Sequence, residues 1–212
     1  MNSTVLNIGH VSRAFGARYV LRELNLLVQA GEAVAVTGDN GAGKTTLLRI
    51  AATLLAPSSG RVTLFESDAK EHLPEIRKRI GALFAEGGFY VDLSVRENLT
   101  LYARLHHVPD RDAAIAAWLR RFKMEAYLDA PIRTLSRGER QRIGLIRSIL
   151  HGPRLILWDE PTTALDDHGR AIVNEVAREL KGHAAFLVAT HDAAGIAEWT
   201  DRSLRLEGGR FQ

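Results

Sequence analysis

The apolar residues of this chain follow two patterns, and both predict regular secondary structure. Short, continuous apolar runs predict strands that are buried on both faces of a parallel sheet. These runs lie at 33–36, 155–158 and 185–189. Apolar or alternating stretches close to glycines predict further short strands. These stretches lie at 5–8, 26–28 and 61–65.

The middle of the chain has a helical period instead, from about residue 88 to residue 150. Ser94 and Glu97 have the spacing of a capping box, which begins a helix, and so do Ser136 and Glu139. Asp110 is placed to cap a helix between these two. The apolar face of that helix is predicted to be Ile115, Trp118, Leu119 and Phe122. A last helical stripe, between the final two buried strands, consists of Ile172, Val176 and Leu180.

This order of elements predicts a single α/β domain over residues 1–212. Residues 1–87 and 151–212 are expected to form an α/β core with a β part near the N-terminus, and residues 88–150 an inserted α-helical lobe. A chain of 212 residues is long enough to bury a substantial core. Its hydrophobic content of 46% and charged content of 25% are ordinary for a folded protein.

Charge and composition exclude several classes of function. The formal net charge is +3, from 28 basic and 25 acidic residues, which is too balanced to indicate a nucleic-acid partner. The absence of cysteine excludes disulfides and cysteine-ligated metals. No apolar run has the length of a membrane span, and the N-terminal residues do not have the pattern of a signal peptide. We therefore expect a cytoplasmic protein, or one bound peripherally to the inner face of the cell membrane.

One stretch carries a specific chemical prediction. Residues 38–45 fit the pattern G-x-x-x-x-G-K-[ST], and they follow a predicted strand and precede a predicted helix. Glycines let backbone N–H groups approach a polyphosphate, and the helix N-terminus directs its positive end at the same place. Lys44 is expected to contact the β- and γ-phosphates, and the Thr45 hydroxyl to hold Mg²⁺. The alternative is a glycine-rich turn with a chance lysine. The predicted nucleotide-binding residues are Gly38, Asp39, Asn40, Gly41, Ala42, Gly43, Lys44, Thr45 and Thr46.

A second group of polar residues follows the buried strands. Asp159 and Glu160 end the run at 155–158, and ligands gather at the carboxyl ends of parallel strands. Asp159 is expected to hold Mg²⁺, and Glu160 to polarise the water that attacks the γ-phosphate. The alternative is two surface acids after a strand. His191 follows the strand at 185–189 and is placed to hydrogen-bond the γ-phosphate, although a lone histidine there is more often structural.

These motifs together resemble the ATP-binding cassette (ABC) ATPases. The resemblance rests on the P-loop, Leu135-Ser136-Arg137-Gly138-Glu139, Asp159-Glu160-Pro161, Thr163-Ala164-Leu165-Asp166 and His191, which occur in the family's order. It implies a RecA-like P-loop NTPase core with an N-terminal antiparallel β part. It also implies that Phe15 stacks on adenine, and that two copies dimerise head to tail with ATP between them. It implies that Ser136 and Gly138 act on the ATP of the other copy. The resemblance also adds Glu139 and Asp166, with these two, to the predicted cofactor-binding residues.

The chain departs from the family pattern in two places. The signature has Arg137-Gly138-Glu139 where the family usually has Gly-Gly-Gln, which keeps the hydroxyl of Ser136 and the glycine at 138. The expected Q-loop glutamine is also missing. Counting from Ile80 places Ala85 there, and counting back from Leu93-Ser94 places Glu86. We favour Glu86, because a carboxylate can also ligate Mg²⁺.

The resemblance implies the ATP-hydrolysing subunit of a bacterial transporter whose permease subunits are separate chains. Segments at 53–60, 93–99 and 102–105 look most like exporter cassettes, and the short chain resembles the haem-exporter ATPase of cytochrome c maturation. Drug, lipid and polysaccharide exporter ATPases share these features. Two other possibilities are a non-transport cassette ATPase and a cassette that binds ATP without hydrolysing it. The permease is expected to contact residues 84–105.

Overall fold

A computed structural model describes residues 3–69, 73–85 and 88–212, and within these ranges it contains ten strands and six α-helices. The strands are β1 Thr4–Phe15, β2 Arg18–Gln29, β3 Ala33–Thr37, β4 Ser59–Leu64, β5 Ser67–Asp68, β6 Ile80–Leu83, β7 Leu155–Asp159, β8 Ala185–Ala189, β9 Arg202–Glu207 and β10 Arg210–Phe211. The helices are α1 Lys44–Ala51, α2 Leu73–Lys78, α3 Val95–Leu105, α4 Arg111–Arg121, α5 Arg137–Ile149 and α6 Asp167–Lys181.

The larger sheet has the order β10-β9-β3-β8-β7-β6 and is parallel except at β10. Every residue of β7 and β8 is buried, which confirms the interpretation of the apolar runs at 155–158 and 185–189 as strands buried on both faces. Alternate side chains enter two different cores. Trp158 and Phe186 pack with the helices α3 to α6, while Leu157 and Leu187 pack with α1 and the smaller sheet.

The smaller sheet is antiparallel, with the order β2-β1-β4-β5. Its first two strands are twelve residues each, much longer than the strands predicted at 5–8 and 26–28. The prediction was too short because bulges break the alternation. His10 and Glu23 have positive φ angles of 50° and 49°, and the spacing of buried side chains in β2 changes to three between Leu21 and Leu24.

The turn between these strands corrects another expectation. Phe15 lies outside the strands predicted at 5–8 and 26–28, but it is the last residue of β1 and pairs with Arg18 of β2. A tight turn at Gly16, whose φ is +59°, lets both strands continue to the end of the hairpin. The strand predicted at 61–65 is also shifted, because β4 ends at Leu64 and Phe65 turns away with a φ of 52°.

The helices α3 and α5 begin where the capping boxes predict. In each, the serine side chain accepts the N3 backbone N–H and the N3 glutamate accepts the serine N–H. Asp110 precedes α4 as expected, but its side chain makes no capping hydrogen bond, because its backbone is left-handed at φ 42°. None of the helices in the described ranges combines the length and apolar character needed to cross a bilayer.

Candidate active site

The loop between β3 and α1 is held in its curve by glycines that no larger residue could replace. Gly38 has φ +144°, and a Cβ there would lie 2.3 Å from the carbonyl oxygen of Leu206 in β9. Gly43 has φ +108°, and a Cβ there would lie 2.8 Å from a methyl of Leu21 in β2. The loop therefore packs closely against residues of both sheets, and α1 begins at Lys44 as predicted.

Lys44 carries a buried positive charge in this loop. The residue is 6% exposed, and its Nζ donates to the carbonyl oxygens of Gly38 at 2.6 Å and Asp39 at 3.2 Å. Among the described residues it forms no ion pair. A buried ammonium without a carboxylate is costly unless a ligand supplies the negative charge. The lysine thus matches the chemistry of a phosphate oxygen.

Thr45 and Asp159 meet although they are far apart in the sequence. The Thr45 hydroxyl donates to Asp159 Oδ2 at 2.7 Å, across 114 positions. Asp159 ends β7 and is 6% exposed, so burial raises the pKa of its carboxyl. The neighbouring Glu160 raises that pKa further, whereas the Thr45 hydrogen bond and the Lys44 charge lower it. A bound cation would offset the cost of burying this carboxylate.

Glu160 and His191 form a second polar pair beside the loop. β7 and β8 are neighbours, so Glu160 after one strand faces His191 after the other. His191 Nδ1 lies 2.7 Å from Glu160 Oε2, and the His191 backbone N–H donates weakly to the same oxygen at 3.4 Å. Glu160 itself has a positive φ of 51°, which is rare for a residue with a side chain. With Nδ1 engaged, Nε2 of His191 is left for a ligand.

Two adjoining cavities connect these groups. One of about 460 Å³ lies over the P-loop, and one of about 680 Å³ extends toward α5. Both are lined by Asn40, Ala85, Asp159 and Glu160. The smaller cavity is also lined by Arg18 and Val20, which the sequence analysis missed because their strand was predicted too short. His191 lines the larger cavity.

The signature residues lie apart from these groups. Ser136, Gly138 and Glu139 form the first turn of α5 and line neither cavity, whereas Arg137 lines the larger one. A Cβ on Gly138 would lie 2.7 Å from the carbonyl oxygen of Ala164, so only glycine fits there. Hydrogen bonds from the Tyr127 hydroxyl and the Ser136 N–H lower the pKa of Glu139.

Three other predicted site residues have different placements. Phe15 is half exposed, lines neither cavity, and has the Arg13 guanidinium 4.5 Å from its ring centroid. Asp166 caps α6 by accepting the Gly169 N–H at 2.9 Å. Glu86 lies outside the described residues, so of the two candidates for the Q-loop only Ala85 is placed at the cavities.

Comparison with known families decides what kind of site this is. The model of the family described as ABC transporter matches residues 21–163, which is more than half of the chain. The match includes the P-loop, the signature helix start and Asp159-Glu160. The chain belongs to the ABC transporter family.

Relatives within the ABC transporter family extend the similarity to nearly the whole chain. The lipoprotein-releasing system ATP-binding protein LolD of Anaplasma marginale is 37% identical, over 98% of this chain and 97% of LolD. The ABC transporter ATP-binding protein NatA of Bacillus subtilis is 35% identical, over 89% of this chain and 78% of NatA. A dimeric structure of the ATP-binding cassette MJ0796 in a post-hydrolysis state with ADP and Pi is 25% identical, with a TM-score of 0.91 over 98% of this chain and 96% of that chain.

Two expectations are settled by these similarities. The fold class is confirmed as an ABC-type P-loop NTPase with an antiparallel β part and a helical part. The enzyme class is confirmed as an ATPase whose hydrolysis is coupled to transport. The names of these relatives do not identify haem as the cargo.

Proposed function

We propose that this ABC transporter ATPase binds and hydrolyses ATP as a head-to-tail dimer and drives export through separate membrane permease subunits. The carrying observation is that the P-loop, Thr45–Asp159 and Glu160–His191 converge on one pair of adjoining cavities. Hydrolysis of a triphosphate needs close donors around the phosphates and a group that can position a water at the γ-phosphate, and the P-loop and the Glu160–His191 pair are suited to these two tasks.

The proposed mechanism assigns a role to each polar group. Lys44 exchanges its two loop carbonyls for oxygens of the β- and γ-phosphates. Glu160 accepts a proton from the attacking water, and His191, held through Nδ1, presents Nε2 to the γ-phosphate. The segment at 38–46 supplies the remaining donors. Contacts that strengthen as charge shifts between the phosphate oxygens in the transition state accelerate the reaction more than they tighten binding.

Mg²⁺ is proposed as the cofactor, because a hydroxyl and a buried carboxylate already adjoin at the P-loop. Mg²⁺ prefers such oxygen ligands, and Thr45 and Asp159 would hold it. When bound, it neutralises charge on the phosphates. Glu86 stays a third candidate ligand from the sequence. A test is nucleotide binding with and without EDTA, with Asp159→Asn expected to lose the difference and Asp92→Asn, a surface change, expected to keep it.

Replacing Glu160 with Gln tests the catalytic proposal. The variant keeps the shape of the side chain but removes the base, so steady-state hydrolysis should fall by at least about 100-fold. ATP binding, measured by fluorescent-nucleotide titration, should be retained. Turnover at the wild-type rate would remove Glu160 as the base, and wild-type protein without any ATPase activity would contradict the proposed function itself.

The dimer is proposed because Ser136, Gly138 and Glu139 of the signature line neither cavity of their own chain. Ser136 and Gly138 lie at the exposed end of α5, where a second copy can bring its P-loop to them. We also propose that in this dimer Phe15 stacks on adenine and Asp166 contributes to the nucleotide site. The MJ0796 cassette, of the same fold, has a dimeric structure with ADP and Pi. Sedimentation of Glu160→Gln should show ATP-dependent dimers, and Ser136→Glu should abolish them.

The permease is proposed to contact residues 84–105 at the cytoplasmic face of the membrane. A groove of about 560 Å³ opens beside this segment, between α1, β6 and α3. Leu54 lines this groove and is 60% exposed, and Leu105, the last residue of α3, is 64% exposed. Leu105→Glu should therefore prevent recovery of the permease, whereas Leu27→Glu, which changes an equally apolar side chain on exposed β2, should not.

The proposed cargo is haem for cytochrome c maturation, with drug, lipid or polysaccharide as the alternatives. We would purify Glu160→Gln with ATP from native membranes and examine it by mass spectrometry and absorbance. Small multi-span subunits with a haem band would support the haem assignment. One large permease without that band would indicate a drug or lipid. Soluble protein that recovers only ribosomes or DNA would contradict transport.

A further inference from the structure

The side chain of Gln141 holds the backbone that carries Glu160. Gln141 lies in the second turn of α5, and its Nε2 donates to the carbonyl oxygens of Glu160 at 3.0 Å and Pro161 at 3.1 Å. It is partly buried and lines the larger cavity beside Glu160 and His191. Both amide hydrogens are thus used on the segment directly after β7.

The backbone at this point needs such support. Glu160 is in the left-handed region at φ 51°, which is sterically unfavourable for a residue with a Cβ. Conformations of this kind persist only where the surroundings determine them. The backbone of Glu160 has two further bonds: its N–H donates to Ala189 at 2.8 Å, and its carbonyl accepts from the Thr163 N–H at 3.2 Å. Among the described residues, the backbone of Glu160 is therefore bonded to β8, to its own segment and, through Gln141, to α5.

The same helix also holds the far end of this segment. Arg142 donates to Asp166 at 2.5 Å, and Gly138 packs against the Ala164 carbonyl. The segment from Glu160 to Asp166 is therefore fixed to α5 at its start, middle and end. Since Glu160 points its carboxylate at His191, any rotation of its peptide would move that carboxylate.

We propose that Gln141 is a positioning residue for hydrolysis, which keeps the Glu160 carboxylate aimed at the attacking water. It does not touch ATP; it acts through the peptide of Glu160. The inference rests on the proposed role of Glu160 as the base. Gln141 thus acts within its own chain, whereas the N-terminus of the same helix, α5, is proposed to act on the second copy.

Paired substitutions of Gln141 test this role. Gln141→Met removes both donors with little change of shape, and kcat should fall by about 10- to 100-fold while KM changes by less than about twofold. Gln141→Lys restores donors on a chain of similar reach, and should keep kcat within about threefold of wild type. The thermal midpoints of the three proteins should agree. Equal activity of Gln141→Met and wild type, or equal loss in both variants, would overturn the proposal.

A double-mutant cycle separates positioning from a general structural effect. In a Glu160→Gln background, residual hydrolysis is measured in single turnovers with labelled ATP. If Gln141 acts through Glu160, adding Gln141→Met should change this residual rate by less than about threefold. The same loss in both backgrounds would contradict the proposal. An inactive wild type would instead contradict the proposed function.

Discussion

Asn98 is predicted to be the main support of the loop at 90–94, which leads into α3. It is 5% exposed, and its side chain makes four hydrogen bonds to the backbone of this loop. Oδ1 accepts the Tyr90 N–H at 2.9 Å. Nδ2 donates to the carbonyls of Tyr90 at 3.0 Å, Leu93 at 3.2 Å and Ser94 at 2.9 Å.

The magnitude follows from what each group retains after Asn98→Ala. The three carbonyls each keep one backbone partner, from the N–H groups of Leu93, Ile132 and residue 98 itself. The Tyr90 N–H loses its partner. The four lost hydrogen bonds contribute about 0.5–1 kcal/mol each. We expect the free energy of unfolding to fall by about 2–4 kcal/mol.

Urea unfolding followed by circular dichroism measures this loss. Asn25→Ala is the matched control, because Asn25 also bonds backbone groups but is exposed, and its loss should stay below about 1 kcal/mol. A loss at Asn98 no larger than at Asn25 would refute the reasoning that burial makes these bonds valuable. A changed urea slope would indicate an altered denatured state instead.

Three further predictions concern pH, packing and the P-loop. Burial, and to a smaller extent the nearby His106, lowers the pKa of His151 to about 4, so the unfolded chain takes up a proton at a higher pH than the folded chain. The free energy of unfolding should therefore be constant above pH 6.5 and about 2 kcal/mol lower at pH 5. His151→Gln should reduce this loss in thermal melts. Ser148→Ala leaves the buried Trp158 Nε1–H without its 2.9 Å partner and should cost about 1–3 kcal/mol in urea, whereas the same change in a Trp158→Phe background should cost less. Gly43→Ala should lose ATP binding in a nucleotide titration while the chain still folds, and unchanged affinity would contradict the packing argument.

The strands that could be predicted from sequence are those whose environment is uniform. β7 and β8 are buried along their whole length, so their apolar runs were sufficient. β1 and β2 were predicted too short because the backbone at His10 and Glu23 changes which side chains point inward. A bulge of this kind is not marked in the sequence by a particular residue type. β9 was missed because most of its side chains are exposed or half exposed.

The site residues also differ in how well the sequence predicts them: those with a required side-chain chemistry could be predicted, and those that act through the geometry of the fold could not. The P-loop and Asp159-Glu160 were found because phosphate and metal binding require particular side chains at fixed spacing. Gln141 was not found, since its partners are backbone carbonyls, which every residue has. The sequence analysis assigned Asp166 a role at the nucleotide. Within one chain its carboxylate caps α6 by accepting the N–H of Gly169, three positions later.

The position of β3 between β8 and β9 sets the order in which this protein can mature during synthesis. The strand before the P-loop is made early, yet it pairs with Phe186–Ala189 on one side and Arg202–Arg205 on the other. Gly38 then packs against Leu206 of β9, which is translated long after the P-loop. Contacts this distant close only when the distal strands are available. A growing chain therefore carries every nucleotide-binding residue of the P-loop well before β8 and β9 exist, and acquires a nucleotide site only as these two strands join the sheet.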